Sequence, residues 1–231
     1  MSAIRLLDGV RAIVFDAAGT LIHPEPPAAL VYHEVGRRYG CTASSAEIAS
    51  RYIAAFRRQE AIDRQLDFET SEARERQRWS QIVSETLFDT SDWTACLELL
   101  YAHFARPAAW QIVDGTIPTV TALAERGIVL AVASNFDGRL RELMTGFPAL
   151  APIGRNFISS EIGWRKPARP FFETVSCGLG ETKDRILYVG DDLVNDYQAA
   201  TAAGMRSLLF DPNGRCPGVP SVRTFADLLA T

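Results

Sequence analysis

Four short apolar runs mark the chain: AIVF at 12–15, IVLAVA at 128–133, RILYVG at 185–190 and SLLF at 207–210, with a weaker FISS at 157–160. Their hydrophobic positions are continuous rather than alternating, as in strands covered on both faces. Helix-like segments separate the later runs, so the pattern predicts a parallel sheet wrapped by helices. The segment TIPTVTALAERG (116–127) carries a helical period, with Thr116 as cap, Ile117, Val120, Leu123 and Ala124 as the buried stripe, and Gly127 as the stop. LVNDYQAATAAG (193–204) repeats that arrangement and ends on Gly204.

More than a hundred residues separate the first two strong runs, far beyond an ordinary crossover. Between Pro26 and Arg106 the period is helical throughout. Ile48, Tyr52 and Phe56 recur every four residues after a capping-box pair, Ser44 and Glu47. Trp79, Ile82, Val83, Thr86 and Leu87 form a second stripe, Trp93, Cys96, Leu97, Leu100 and Phe104 a third, and residues 28–39 a shorter fourth. Four such helices joined by short loops bury their stripes against one another as a bundle. The Pro-rich HPEPP (23–27) and ARPAAW (105–110) read as its hinges. The expected fold class is therefore α/β: a Rossmann-like parallel-sheet core formed by 1–24 and 108–231, with an inserted helical bundle cap at 25–107.

Composition narrows the partners. A 231-residue chain that is 47% hydrophobic and 23% charged suits a globular protein with a full core. A net charge of -4 without any Lys/Arg-rich run argues against a nucleic-acid backbone or an anionic membrane as partner, and favours a small-molecule ligand. Cys41, Cys96, Cys177 and Cys216 are widely spaced, with no CxxC pair and no histidine cluster, so neither a zinc site nor a disulfide framework is indicated. The N-terminal MSAIRLLDGVR has no signal-peptide pattern, and no apolar run is long enough to span a bilayer, which sets the expectation of a cytoplasmic protein. The oligomeric state leaves no mark on the sequence.

In open parallel sheets ligands bind beyond the carboxyl ends of the strands. Asp16 follows the first run, Ser134 and Asn135 the second, Lys166 lies in the loop beyond FISS, and Asp191 and Asp192 follow RILYVG. Each alone has an ordinary reading: a strand-end aspartate as turn former or cap, Ser-Asn as loop, a single lysine as a solvated charge. Together they place a carboxylate nucleophile, a hydroxyl, a fixed cation and an acidic pair along one sheet edge.

In that order and context they form four motifs. DxxGTL stands as Asp16 to Leu21, a strand ends in Ser134, Lys166-Pro167 precedes Phe171 and Phe172, and GDxxxxD runs from Gly190 and Asp191 to Asp196. The chain thereby resembles the haloacid dehalogenase superfamily, with the helical insertion where that family carries its type-one cap. The resemblance implies a Mg²⁺-dependent hydrolase in which Asp16 attacks a small anionic, phosphorylated substrate and forms an aspartyl intermediate. It also implies that Ser134 and the backbone amides around Gly19 and Thr20, with Asn135 beside them, hold the transferring oxygens. Lys166 neutralises the crowded carboxylates, and Mg²⁺ is held by Asp16, the carbonyl of Ala18 and Asp191, with Asp196 in the outer shell. Asp192 reads better as a helix N-cap.

One position departs from the family's phosphatase pattern. Ala18 stands where the phosphatases carry the aspartate that protonates the leaving group, a loss worth about 10² to 10⁴ in rate. The resemblance implies three ways round it. Dehalogenases expel halide without a proton, but use no Mg²⁺ and do not need the acidic Asp191 and Asp196. Phosphonoacetaldehyde hydrolase shares DxAGT but needs a cap lysine, whereas the only lysines here are Lys166 and Lys183. The third is a substrate whose leaving group is stable as an anion, such as an acyl phosphate, or a proton supplied by His23, Glu25, Tyr32, His33 or Glu34, with His23 the foremost. Against these stands a protein that binds metal and phosphate without turnover.

Overall fold

The computed structural model describes residues 6–229; the outermost parts of the expected core, 1–5 and 230–231, and with them the first residues of the N-terminal stretch, lie outside them. Strand β1 (Ala12–Phe15) leads into β2 (Ile22–Pro24), and then into four helices, α1 (Ala28–Arg38), α2 (Ser45–Gln65), α3 (Glu72–Thr86) and α4 (Trp93–Phe104). There follow β3 (Trp110–Ile112), α5 (Thr116–Glu125), β4 (Val129–Ser134), α6 (Arg139–Thr145), β5 (Arg155–Ile158), α7 (Ser159–Ile162) and α8 (Arg169–Leu179). Then come β6 (Ile186–Gly190), a π-helical turn (Leu193–Gln198), α9 (Ala199–Ala202), β7 (Arg206–Phe210) and β8 (Ser221–Val222).

Six strands form one parallel sheet in the order β5-β4-β1-β6-β7-β8. β1 is central, with Phe15 level with Val132 on one side and Val189 on the other. Its residues alternate between two packed layers. Ile13 and Phe15 meet Val120, Leu123 and Phe225, whereas Ala12 and Val14 meet Phe171, Phe172 and Val175. Because both faces are dry, neither can be polar, which accounts for the unbroken hydrophobic runs. A third apolar cluster lies within the helical bundle, where Val31, Tyr32, Ile48, Ile82, Val83 and Leu100 close on one another. Ser44 and Glu47 form the capping box that opens α2. Among the described residues no helix is long and apolar enough to cross a membrane.

Four local expectations are corrected. Helix α5 is capped at Gly115, in the left-handed region at φ 79°, and Thr116 is already helical and buried. That phase turns Ile117 outward, 42% exposed, and leaves Thr116, Thr119, Val120 and Leu123 as the inner stripe. The weak strand at FISS starts at Arg155, and Ser159 and Ser160 open α7 instead of closing the strand. β2 and β3 pair antiparallel where only hinges were expected, with Ile22 opposite Ile112; at three residues each, one ending in proline, neither carries a readable period. The segment after β6 begins as a wide π turn because Asp196 points back inward, its Oδ2 accepting from the Asp192 amide at 3.0 Å.

Candidate active site

Asp16 follows β1 directly, and its amide donates to the Val189 carbonyl at 2.9 Å, which fixes it at the junction between the two strands flanking β1's end. The chain then folds back at once: the amides of Leu21 and Ile22 donate to the Ala17 carbonyl, and that of Gly19 to the Ile22 carbonyl at 2.8 Å. Gly19 sits at φ 98°, and a Cβ there would collide with the Asp191 carboxylate. A Cβ on Gly190 would likewise strike Asp196. Both glycines are thus the space into which an acid packs.

Lys166 ties the acids together. Its buried Nζ donates to Asp16 Oδ1 at 2.7 Å and to Asp196 Oδ1 at 2.5 Å, with the Ala133 carbonyl at 3.5 Å. Burial pulls the Lys166 pKa down, but the charges of Asp16 and Asp196 outweigh it, so the ammonium is held well above its ordinary range. Asp191 is raised to about 6, first by desolvation and then by the charge of Asp16. Burial drives Asp196 to about 7 against the opposing pull of Lys166. Thr20 Oγ1 donates to Asp191 Oδ1 at 3.2 Å.

Asp16, Ser134, Lys166, Asp191 and Asp196 therefore converge, with Ala18 and Gly19, on one cavity of about 390 Å³ between the sheet edge and the helical bundle. Two of the expected roles do not match the contacts. The amides of Gly19 and Thr20 are spent inside the turn, Thr20 on the Ala17 carbonyl; among the described residues those of Ala17 and Ala18 take no acceptor and are the free donors beside Asp16. Asn135 lines the cavity, but its side chain is engaged at both ends with the Lys166 backbone, at 3.0 and 2.7 Å, so it fastens the lysine loop. Asp192 caps the helical turn after β6 through Val194 and Asn195.

The donor set suits a hard cation. Asp16, Asp191 and Asp196 each offer a carboxylate oxygen, all within 4.8 Å of one another, and the Ala18 carbonyl accepts no hydrogen bond among the described residues. Both Asp196 oxygens are already engaged, by Lys166 and by the Asp192 amide, so Asp196 belongs to the support of such an ion and not to its direct ligands. Of the five side chains considered as replacement proton donors, only His23, on β2, and Tyr32, on α1, line the cavity.

Sequence reasoning missed Arg78, Arg139 and Arg165, which also line it. Arg78 is a single charged position beside an apolar helical stripe, and nothing along the chain tells whether such a residue faces solvent or a closed cleft.

The model of the haloacid dehalogenase-like hydrolase family matches residues 10–204. The chain is 30% identical over 212 residues to haloacid dehalogenase-like hydrolase domain-containing protein 3 of Mus musculus, covering 87% of this chain and 81% of that one. Its fold is similar to that of the HAD-hydrolase YfnB from Bacillus subtilis bound to magnesium, at a TM-score of 0.74 and 18% identity over 96% of this chain and 97% of that one. It is similar also to the HAD phosphatase from Thermococcus onnurineus, at a TM-score of 0.69 and 22% identity over 96% and 97%.

Proposed function

The chain belongs to the haloacid dehalogenase-like hydrolases, and on that premise we propose that it hydrolyses a small phosphorylated substrate through an aspartyl phosphate on Asp16. Asp16 Oδ1 is held by Lys166, which leaves Oδ2 to attack phosphorus. The bond to the leaving oxygen breaks with its electron pair on that oxygen, and water then releases phosphate and restores the carboxylate. Ser134 and the free amides of Ala17 and Ala18 surround the place where the transferring oxygens would lie, and Lys166 balances their charge. Mg²⁺ would be held by Asp16, the Ala18 carbonyl and Asp191, with Asp196 behind them. When bound it would neutralise charge on the phosphoryl group.

The observation that carries the substrate class is Ala18 beside an otherwise complete set of charged groups. Without a carboxylic acid at that position the leaving oxygen lacks the family's own proton donor, so the preferred substrate is one that departs as a stable anion, an acyl phosphate above an alkyl ester. The test follows phosphate release from acetyl phosphate and from an alkyl phosphate, with and without Mg²⁺, using Asp16→Asn as the blank. Metal-dependent cleavage of acetyl phosphate alone by the wild type, with Ala18→Asp gaining the alkyl ester, supports the reading.

Ala18 also favours a second reading, a protein that binds metal and phosphate without turning over. Its signature is phosphate or vanadate binding by a wild type inert on both compounds. Dehalogenation would instead show as halide release in the presence of a chelator, and Asp191 and Asp196 weigh against it.

A further inference from the structure

The cavity that Asp16 lines also contains a cation with an unmatched donor. Arg78, on α3, is 1% exposed and lines the same cavity as Asp16. Its Nε donates to Asp63 Oδ2 at 2.9 Å, and its guanidinium lies 4.5 Å from the centroid of the Phe56 ring. Its Nη2 is buried and, among the described residues, has no hydrogen-bond partner. Buried donors are almost always satisfied, and the exceptions call for a specific reason.

Among the described residues the neighbouring acids, as placed, leave that nitrogen without an acceptor. Asp63 already takes Arg74 on Oδ1 and Arg78 on Oδ2, with Arg165 Nε 3.6 Å from Oδ2. Glu75 takes Arg165 and Thr70, both on Oε1. Three guanidiniums thus meet on two carboxylates, while Glu60, lining the same cavity, pairs with none of them among the described residues. Burial, and next the charge of Arg165, push the Arg78 pKa below its ordinary value against the opposing pull of Asp63 and Glu75. Tyr52, Phe56 and Trp79 form the apolar wall around it.

We infer that Arg78 is a carboxylate-recognition residue, and that the substrate is a small compound carrying a phosphoryl group at one end and a carboxylate at the other, joined by an apolar or flat spacer. This rests on the phosphohydrolase reading for the assignment of the phosphoryl end to Asp16. A carboxylate supplies what Arg78 Nη2 lacks, an acceptor oxygen in the plane of the fork. The spacer would lie against the aromatic wall.

The test measures binding, so it needs no turnover. Phosphonocarboxylates with spacers of two to six methylenes, and 4-phosphonobenzoate, are titrated calorimetrically into the full chain with Mg²⁺, each beside the alkyl- or phenylphosphonate that lacks the carboxylate. The expected result is that at least one spacer binds tenfold or more tighter than its match, and that this ratio falls to near one in Arg78→Met and partway in Arg78→Lys. No preference at any length, or a preference that survives Arg78→Met, overturns the inference. Should Arg78→Met not fold, the wild-type series and Arg78→Lys decide it. Inertness on acetyl phosphate with the preference intact would remove the hydrolase reading alone, and turnover without the preference would remove this inference alone.

Discussion

Lys166→Met isolates the electrostatic logic of the site. The side chain is 3% exposed and separates two carboxylates that are themselves almost inaccessible, Asp16 at 9% and Asp196 at 1%. Methionine fills much of the same volume, so the change removes a cation without opening a large cavity. Breaking a buried ion pair from one side costs about 3–5 kcal/mol because the remaining charge is left uncompensated. For a chain of this size that is a fall in Tm of roughly 6–20 °C. The loss must depend on pH. Without Lys166 the opposing pull on Asp196 is gone, so its folded-state pKa lies further above the unfolded one and the folded protein binds more protons than the unfolded one. The stability of the variant then falls as pH rises through that raised value, and is regained as pH falls. Urea denaturation of both proteins at pH 8 and at pH 5 should give the full penalty at pH 8 and a much smaller one at pH 5. An equal penalty at both would refute the reasoning, and would mean that packing rather than charge is what the lysine supplies.

Gly19→Ala should abolish the Mg²⁺-induced rise in Tm, because the new methyl occupies the space of the Asp191 carboxylate, and should cost about 1–3 kcal/mol for a side chain at φ 98°; an unchanged Mg²⁺ titration would count against it. That same rise in the wild type should shrink as pH is lowered through about 6, where protons compete for Asp191. Without metal the sign reverses: Asp191 and Asp196 are raised from 3.8 to about 6 and about 7, so the apoprotein gains stability from them as pH falls through those values and the gain levels off near 3.8, which differential scanning calorimetry with a chelator would show. His23→Gln should lower phosphate release from acetyl phosphate by about 10² if this imidazole receives the proton of the attacking water, and an unaltered rate would remove it from the reaction.

The parts of the fold legible in the sequence are those whose environment is uniform along the element. β1, β4 and β6 are buried on both faces, so burial appears directly as an unbroken apolar run. The bundle helices each have one dry face, so it appears as a period of three and four. The convergence of Asp16, Ser134, Lys166 and Asp191 was legible for a topological reason: parallel strands all end on one edge. What escaped was set by contacts between distant segments. The wide turn at Leu193–Gln198 follows from Asp196 reaching Lys166, a partner 30 residues away, and β2 exists only because β3 returns beside it.

Arg78 is the clearest instance of that limit, and it bears on how the two halves of the chain divide the work. Its partner Asp63 lies on α2, and the acid that shares its network, Glu75, is held by Arg165, the residue before the lysine that binds Asp16. The Arg165 amide donates to the Phe68 carbonyl at 2.9 Å, and the Thr70 amide to the Gly163 carbonyl at 2.9 Å, so the lysine loop is fastened to the bundle by backbone as well as by charge. The loop that presents the cation to Asp16 and the loop that joins α2 to α3 are thus one packed unit. A ligand that engaged Arg78 would act on the ion-paired network that holds Arg165, the residue next to Lys166, so occupancy at Arg78 would be felt at the ammonium through Arg165.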